Sequence, residues 1–123
     1  MSLNIIIPCY NESMRLPFNK YLDFLKLNKQ VKIIFVDDGS TDNTKKLVNK
    51  LSNKFPKQIK ILSYKKNKGK GNAVRDGFLY AVHENMSGNL AYLDADLSTS
   101  LEECKLLSEK ISDKIKFVFG SRI

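Results

Sequence analysis

Asp94 and Asp96 stand one residue apart directly after the apolar run Leu90-Ala91-Tyr92-Leu93, which reads as a buried strand. Alternate side chains on extended backbone point the same way, so the two carboxylates can converge on one hard cation, and such a cation commonly brings a phosphate. The competing reading is a solvated loop whose acids cap the next helix. Asp37 and Asp38 close a second apolar run, Val31 to Val36, and precede Gly39 and the helix-start cluster Ser40-Thr41-Asp42. Capping accounts for the cluster but not for the paired aspartates. A carboxylate accepts hydrogen bonds from a uracil or guanine ring N–H or from ribose hydroxyls, so the pair suits the base and sugar end of a nucleotide, with plain turn chemistry as the alternative. The segment Lys65 to Gly71 mixes lysines with Gly69 and Gly71, then opens a helix at Asn72. Glycines let backbone approach an anion, the helix N-terminus offers free N–H groups, and Lys70 with Arg75 can add charge. A solvated lysine loop is the rival here. The spacing is not that of a Walker loop, which argues against an ATPase.

These motifs need elements to hold them. Apolar runs rich in β-branched residues recur at Leu3 to Ile7, Val31 to Val36, Ile59 to Leu62, Leu90 to Leu93 and Ile115 to Phe119, and read as five strands. Helix-period segments lie between them. The first is expected over Phe18 to Leu27; the second carries Leu47, Val48, Leu51 and Phe55; the third carries Ala73, Val74, Phe78, Ala81 and Val82. The fourth opens with Ser100-Leu101-Glu102-Glu103, a capping box in which Ser100 and Glu103 can satisfy each other's end amides. Strands alternating with helices imply an α/β fold, a mostly parallel sheet with helices on both faces. In such a sheet the binding crevice lies beyond the carboxyl ends of the strands, and every unusual motif falls there.

At 123 residues the chain fits one domain, with no repeat, linker or low-complexity segment. No apolar run reaches the length of a membrane span, and the first residues lack the regions of a signal peptide, which places the chain in the cytoplasm or at the cytoplasmic face of a membrane. Cys9 and Cys104 form no pairing or metal pattern and read as inert, and His83, the single histidine, sits in a helix-like segment. Histidine-dependent catalysis is therefore not expected. The net charge of +8 comes mostly from lysine and attracts anions in general. Nucleic acid is not expected as a partner, because the lysines are not interleaved with stacking aromatics.

The motifs Ile7-Pro8-Cys9-Tyr10-Asn11-Glu12, Val36-Asp37-Asp38-Gly39-Ser40-Thr41-Asp42, Asn67-Lys68-Gly69-Lys70-Gly71, Asp94-Ala95-Asp96 and Gly120-Ser121-Arg122 occur in this order, and as a set they are specific. The chain resembles an inverting family 2 glycosyltransferase, most closely the dolichyl-phosphate glucosyltransferases and other polyprenyl-phosphate sugar synthases. The resemblance implies a Rossmann-like GT-A fold and a UDP- or GDP-sugar donor, with a polyprenyl phosphate or a glycan as acceptor. It further implies that Pro8, Tyr10, Glu12 and Asp38 line the nucleoside pocket with Asp37 in support, and that Lys70 and Arg75 lie beside the nucleotide. Asp94 would meet the donor sugar, ribose or metal shell; Asp96 would bind the Mg²⁺ or Mn²⁺ bridging the diphosphate; Arg122 would face the diphosphate or an acceptor phosphate. In the mannosyl-phosphate branch a glutamine two residues beyond the second aspartate can join the metal shell. Ser98 stands at that place, a weaker ligand, which favours a glucosyl-type or other branch.

The family's catalytic domain continues past the Gly-Ser-Arg motif into the acceptor half. Residues 1–123 are therefore expected to be the nucleotide-sugar-binding part, a fold truncated after about five strands, inactive alone and prone to self-association through its uncovered edge. A module that binds nucleotide sugar without transfer is one alternative. A phosphoryl-receiver domain is another, with the same alternation and length. It requires an acidic pair after strand one and an aspartate after strand three, where this chain has Pro8-Cys9-Tyr10 and Ser63-Tyr64-Lys65.

Overall fold

The computed structural model describes residues 2–110 and the backbone of Phe117–Gly120. Strands β1 (Leu3–Cys9), β2 (Val31–Asp37), β3 (Ile59–Ser63), β4 (Asn89–Leu93) and β5 (Phe117–Gly120) alternate with helices α1 (Phe18–Leu27), α2 (Thr44–Lys54), α3 (Lys70–His83) and α4 (Leu101–Glu109). All strand pairings are parallel, in the order β3-β2-β1-β4-β5. A receiver-like sheet runs 2-1-3-4-5 instead, so the strand order removes that alternative.

β1 lies at the centre and every one of its residues is buried, which is why it reads as a continuous apolar run instead of an alternating one. Its side chains still divide by face. Leu3, Ile5, Ile7 and Cys9 pack with Tyr21 and Leu25 of α1, Val48 and Leu51 of α2, and Leu101 and Cys104 of α4. Ile6 turns the other way, joining Ile34, Val36, Ala73 and Ala81 in a second core beneath α3. The buried stripe of α3 is Ala73, Gly77 and Ala81, one residue per turn. A Cβ on Gly77 would come within 2.5 Å of Ile6 Cγ2, so this helix lies against the sheet at glycine distance. The expected apolar face of α3 is corrected in one place: Val82 is 64% exposed, because small residues, not branched ones, make the closest contact with the sheet.

Two further expectations shift in detail. The helix after the lysine-glycine segment begins at Lys70 instead of Asn72. In the capping box, Glu103 N donates to Ser100 Oγ at 3.0 Å, while the return bond runs from the Ser100 hydroxyl to Glu103 Oε1 and not from the Ser100 amide.

The order 3-2-1-4-5 puts the reversal of the sheet between β1 and β4. The ladder joining those strands ends at the pair Ile6↔Tyr92, two residues before Pro8, whose ring nitrogen carries no hydrogen. Beyond that point β1 and β4 no longer pair, and the gap between their carboxyl ends is the topological switch point where α/β sheets bind ligands.

Candidate functional site

A cleft of about 430 Å³ opens at that gap. Its walls come from three strand ends: Pro8, Cys9, Tyr10 and Glu12 after β1, Asp38 after β2, and Asp94, Ala95 and Asp96 after β4. Asn67, Gly69 and Lys70, at the start of α3, close the fourth side, and Arg15 lies at the rim.

The loops after β1 and β2 are stitched into one unit. Asn11 sits in the left-handed region at φ 50°, which aims its side chain across the gap. Its Oδ1 accepts from Thr41 N at 2.8 Å, while its own amide donates to Ser40 Oγ at 3.0 Å. Glu12 N donates to Thr44 Oγ1 at 2.7 Å, and the Ser13 hydroxyl donates to Asp42 Oδ2 at 2.7 Å. Slight burial raises the Asp42 pKa, but hydrogen bonds from Thr44 and Ser13 outweigh it and hold the carboxyl at about 2. Ser40-Thr41-Asp42, expected as a helix-start cluster, therefore serves mainly to bind two loops together. Asp42 contributes to the helix start by accepting from Thr44 N at 2.9 Å.

Asp38 is buried, and its carboxylate is already well used. It accepts from Lys68 N at 2.7 Å, Gly69 N at 3.0 Å and Asn67 Nδ2 at 3.0 Å. The lysine-glycine loop is thus wrapped around a carboxylate from another strand. Gly39 makes room for this: at φ +75°, a Cβ there would lie 2.6 Å from Asn67 N and from the Lys66 carbonyl carbon. Asp37 is equally buried, does not line the cleft and accepts from Ser40 N at 3.2 Å, so its part is structural support.

The other acidic pair is set differently. Ala95 and Leu97 are buried while Asp94 and Asp96 are half-buried, which gives the alternation that places both carboxylates on the cleft side. Leu97 takes φ 55° and its amide donates to Asp94 O at 3.0 Å, closing a tight turn. The buried Tyr21 hydroxyl of α1 donates to Ala95 O at 2.8 Å, pinning the middle of the turn from beneath. Lys70 Nζ forms an ion pair with Asp94 Oδ1, and Asp96 Oδ1 accepts from Ser98 N at 3.1 Å. Glu12, across the cleft, has its pKa raised by partial burial; Arg15 pulls it down, and the negative charge of Asp96 and Asp94 raises it further. Three carboxylates thus share one field.

Among the described residues no three His, Cys, Asp or Glu side chains form a metal cage. The donor set is nonetheless suited to a small hard cation, which is commonly held by one or two carboxylates and completed by phosphate and water. Asp94 and Asp96 would supply those oxygens. The N-terminus of α3 faces the same cleft without a side-chain cap and without an acid in its first turn, leaving its first amides to an anionic ligand.

Not every expected residue joins the cleft. Arg75 Nε lies 3.5 Å from Asp76 Oδ1 and does not line the cavity. Arg122 lies outside the described residues; Gly120, the last residue of β5, pairs with Leu93. His83 is exposed at the end of α3, away from the cleft. Cys9 is buried, and burial above all, then Asp37 and Glu12, drives its thiol pKa far up; burial raises Cys104 to about 11. Both thiols stay protonated and unreactive. Sequence reasoning overlooked Arg15 and Tyr21. Arg15 Nη2 pairs with Glu12 Oε1 at 3.0 Å, a contact its i+3 spacing in a turn foreshadows. Tyr21 belongs to the apolar period of α1, and only a contact with a residue 74 positions away distinguishes it from ordinary core.

Comparison with known proteins agrees with this fold. The model of the family described as "Glycosyl transferase family 2" matches residues 4–123. A dolichyl-phosphate beta-glucosyltransferase of Dictyostelium discoideum is 44% identical over 134 residues, covering 98% of this chain and 39% of the relative. The Saccharomyces cerevisiae enzyme of that name is 35% identical, covering 89% of this chain and 34% of the relative. The chain spans roughly two fifths or less of the length of these relatives. Among solved structures, a 1–349 fragment of S. aureus TarS superposes with a TM-score of 0.65 at 23% identity, over 89% of this chain and 32% of that one. The mannosyltransferase PcManGT from Pyrobaculum calidifontis, solved with GDP-Man and Mn²⁺, gives a TM-score of 0.59 at 22% identity, over 76% and 27%. Both likenesses show the shared GT-A fold.

Proposed function

The chain belongs to glycosyl transferase family 2, and on that premise we propose that residues 1–123 form the nucleotide-sugar-binding part of a metal-assisted glycosyltransferase. It takes a sugar from a UDP- or GDP-sugar and passes it to a polyprenyl phosphate. The observation that carries this reading is the convergence of the Asp38-organised loop, the uncapped N-terminus of α3 and the Asp94/Asp96 pair on one cleft at the switch point. The names of the curated relatives support the lipid-phosphate acceptor, and none of the helices described is long and apolar enough to cross a membrane.

Each wall has a part to play. Pro8, Tyr10 and Asp38 border the end of the cleft that suits a nucleoside, where Asp38 fixes the shape of the loop at its wall. The α3 amides and Lys70 meet the diphosphate. Asp94 and Asp96 would hold Mg²⁺ or Mn²⁺, which supplies Lewis acidity against the charge that grows on the departing diphosphate. Glu12 lines the same cleft, as the nucleoside pocket requires, and Arg15 is paired with it. A phosphate acceptor is already ionised, so transfer to it needs no general base from this chain.

A calorimetric panel of UDP, GDP and their glucose and mannose conjugates, with Mn²⁺ or with chelator, tests the reading. One nucleotide should bind more tightly with Mn²⁺, and Asp96→Ala should remove that gain. Equal binding of every nucleotide with and without the cation would overturn it.

A further inference from the structure

Lys70 occupies a position that the metal reading leaves unexplained: its amine is paired with Oδ1 of Asp94, one of the two oxygens of that carboxylate on which a cation would draw. Resting on the metal site proposed above, we propose that Lys70 is an exchangeable counter-ion. It holds Asp94 while the site carries no metal, yields that oxygen when a divalent cation arrives together with a nucleoside diphosphate, and transfers its charge to the phosphates.

Lys70 is the first residue of α3, a helix seated on the sheet at glycine distance through Gly77 and preceded by a loop held by three donors to Asp38. The backbone of Lys70 is therefore fixed, and only its four-carbon stem is free to move. Its side chain is 56% exposed while that of Asp94 is 25% exposed, so the amine reaches the carboxylate from the solvent side and can leave without disturbing the core. A lysine amine and a divalent cation drawn to one carboxylate repel each other, so each weakens the other's hold on Asp94. The nearest alternative anion for Lys70 is a phosphate at the uncapped first turn of its own helix. Cation alone must displace Lys70 without compensation, whereas cation with diphosphate gives Lys70 a new partner. The two ligands therefore bind with positive coupling, and the coupling is reciprocal. Lys68 shows the contrast, since its amine lies 4.3 Å from the Tyr64 ring centroid and is engaged outside the acidic pair.

The test is binding of Mn²⁺ to the chain, read from the free-ion signal in electron paramagnetic resonance, with and without saturating UDP or GDP. Lys70→Met should bind Mn²⁺ alone about two- to fivefold more tightly, the range an exposed ion pair is worth. It should also lose about tenfold in the tightening that nucleotide gives, the effect of one charged hydrogen bond. Lys70→Arg should restore the competition. Unchanged or weaker Mn²⁺ binding by Lys70→Met, with Asp96→Ala still abolishing it, refutes the exchange and leaves the metal site standing. An equal gain from Lys68→Met refutes it too, because general charge would then explain the effect. If Asp96→Ala leaves Mn²⁺ binding intact, the metal reading falls and takes the exchange with it.

Discussion

The chain carries two acidic pairs at strand ends, and the fold treats them in opposite ways. Asp37 and Asp38 after β2 are 2% exposed, and together their carboxylates accept hydrogen bonds from Ser40, Asn67, Lys68 and Gly69. Asp94 and Asp96 after β4 are half-buried and have one side-chain and one amide partner named between them, Lys70 and Ser98. Burial of a charge is tolerated only when hydrogen bonds replace water, so the first pair is committed to building the site. The second pair keeps oxygen lone pairs toward the cleft and is available for a ligand. Acid at the end of a strand is therefore two different devices, told apart by how many donors the fold has already assigned to it.

The sharpest way to break this contrast is to remove one carboxylate from each pair. Asp38→Ala leaves the Lys68 and Gly69 amides without their acceptor, and urea unfolding should show a loss of about 2–3 kcal/mol together with weaker nucleotide binding. Asp96→Ala should lose less than about 1 kcal/mol in the same measurement, because this half-buried carboxylate gives up one amide contact, from Ser98 N. Equal losses from the two variants would erase the distinction.

A smaller effect sharpens the account of the second pair. Tyr21→Phe removes one buried hydroxyl and leaves the Ala95 carbonyl unpaired, which should cost about 1 kcal/mol of stability. Because the turn would lose its anchor, Mn²⁺-dependent nucleotide binding should weaken as well. A variant with lowered stability and wild-type cation-dependent binding would show that Tyr21 is core alone.

The smallest expected effect concerns acid. Asp42 has a folded pKa of about 2 against an ordinary value of 3.8, so its contribution is present above the ordinary value and is lost as pH falls through the folded one. The bonds from Ser13 and Thr44 should weaken between those limits. The protection of the Ser13 and Thr44 amides, taken relative to the intrinsic exchange rate at each pH, should then fall on acidification in wild type and already be low at neutral pH in Asp42→Asn. Indistinguishable exchange in the two proteins would remove Asp42 from the stitch between the loops.

The described strands and helices were visible in the sequence because each depends on local chemistry, as were the Asp37-Asp38, Lys65 to Gly71 and Asp94-Ala95-Asp96 motifs, whereas Pro8, Tyr10 and Glu12 were singled out only by the family resemblance. β-branched runs make strands, Gly39 and Gly69 mark backbone that other residues resist, and alternation on an extended chain predicts that Asp94 and Asp96 face one way while Ala95 and Leu97 face the other. The same locality explains the misses. Val82 fitted the period of α3 as well as Ala81 did, and periodicity carries no information about how closely a helix lies on its sheet.

Pairing across long separations, by contrast, is set by how the elements pack. The order β3-β2-β1-β4-β5, which places the cleft between β1 and β4, comes from no single segment. Asp38 and Lys68 are 30 residues apart, Lys70 and Asp94 are 24 apart, and Tyr21 and Ala95 are 74 apart. A hydrogen-bond donor in sequence has many possible acceptors, and the packing of α3 and α1 on the two faces of the sheet selects among them. The residue types at the strand ends were written in the chain. Their division into carboxylates that hold the site together and carboxylates that face a ligand follows from which amides the folded backbone delivers to each.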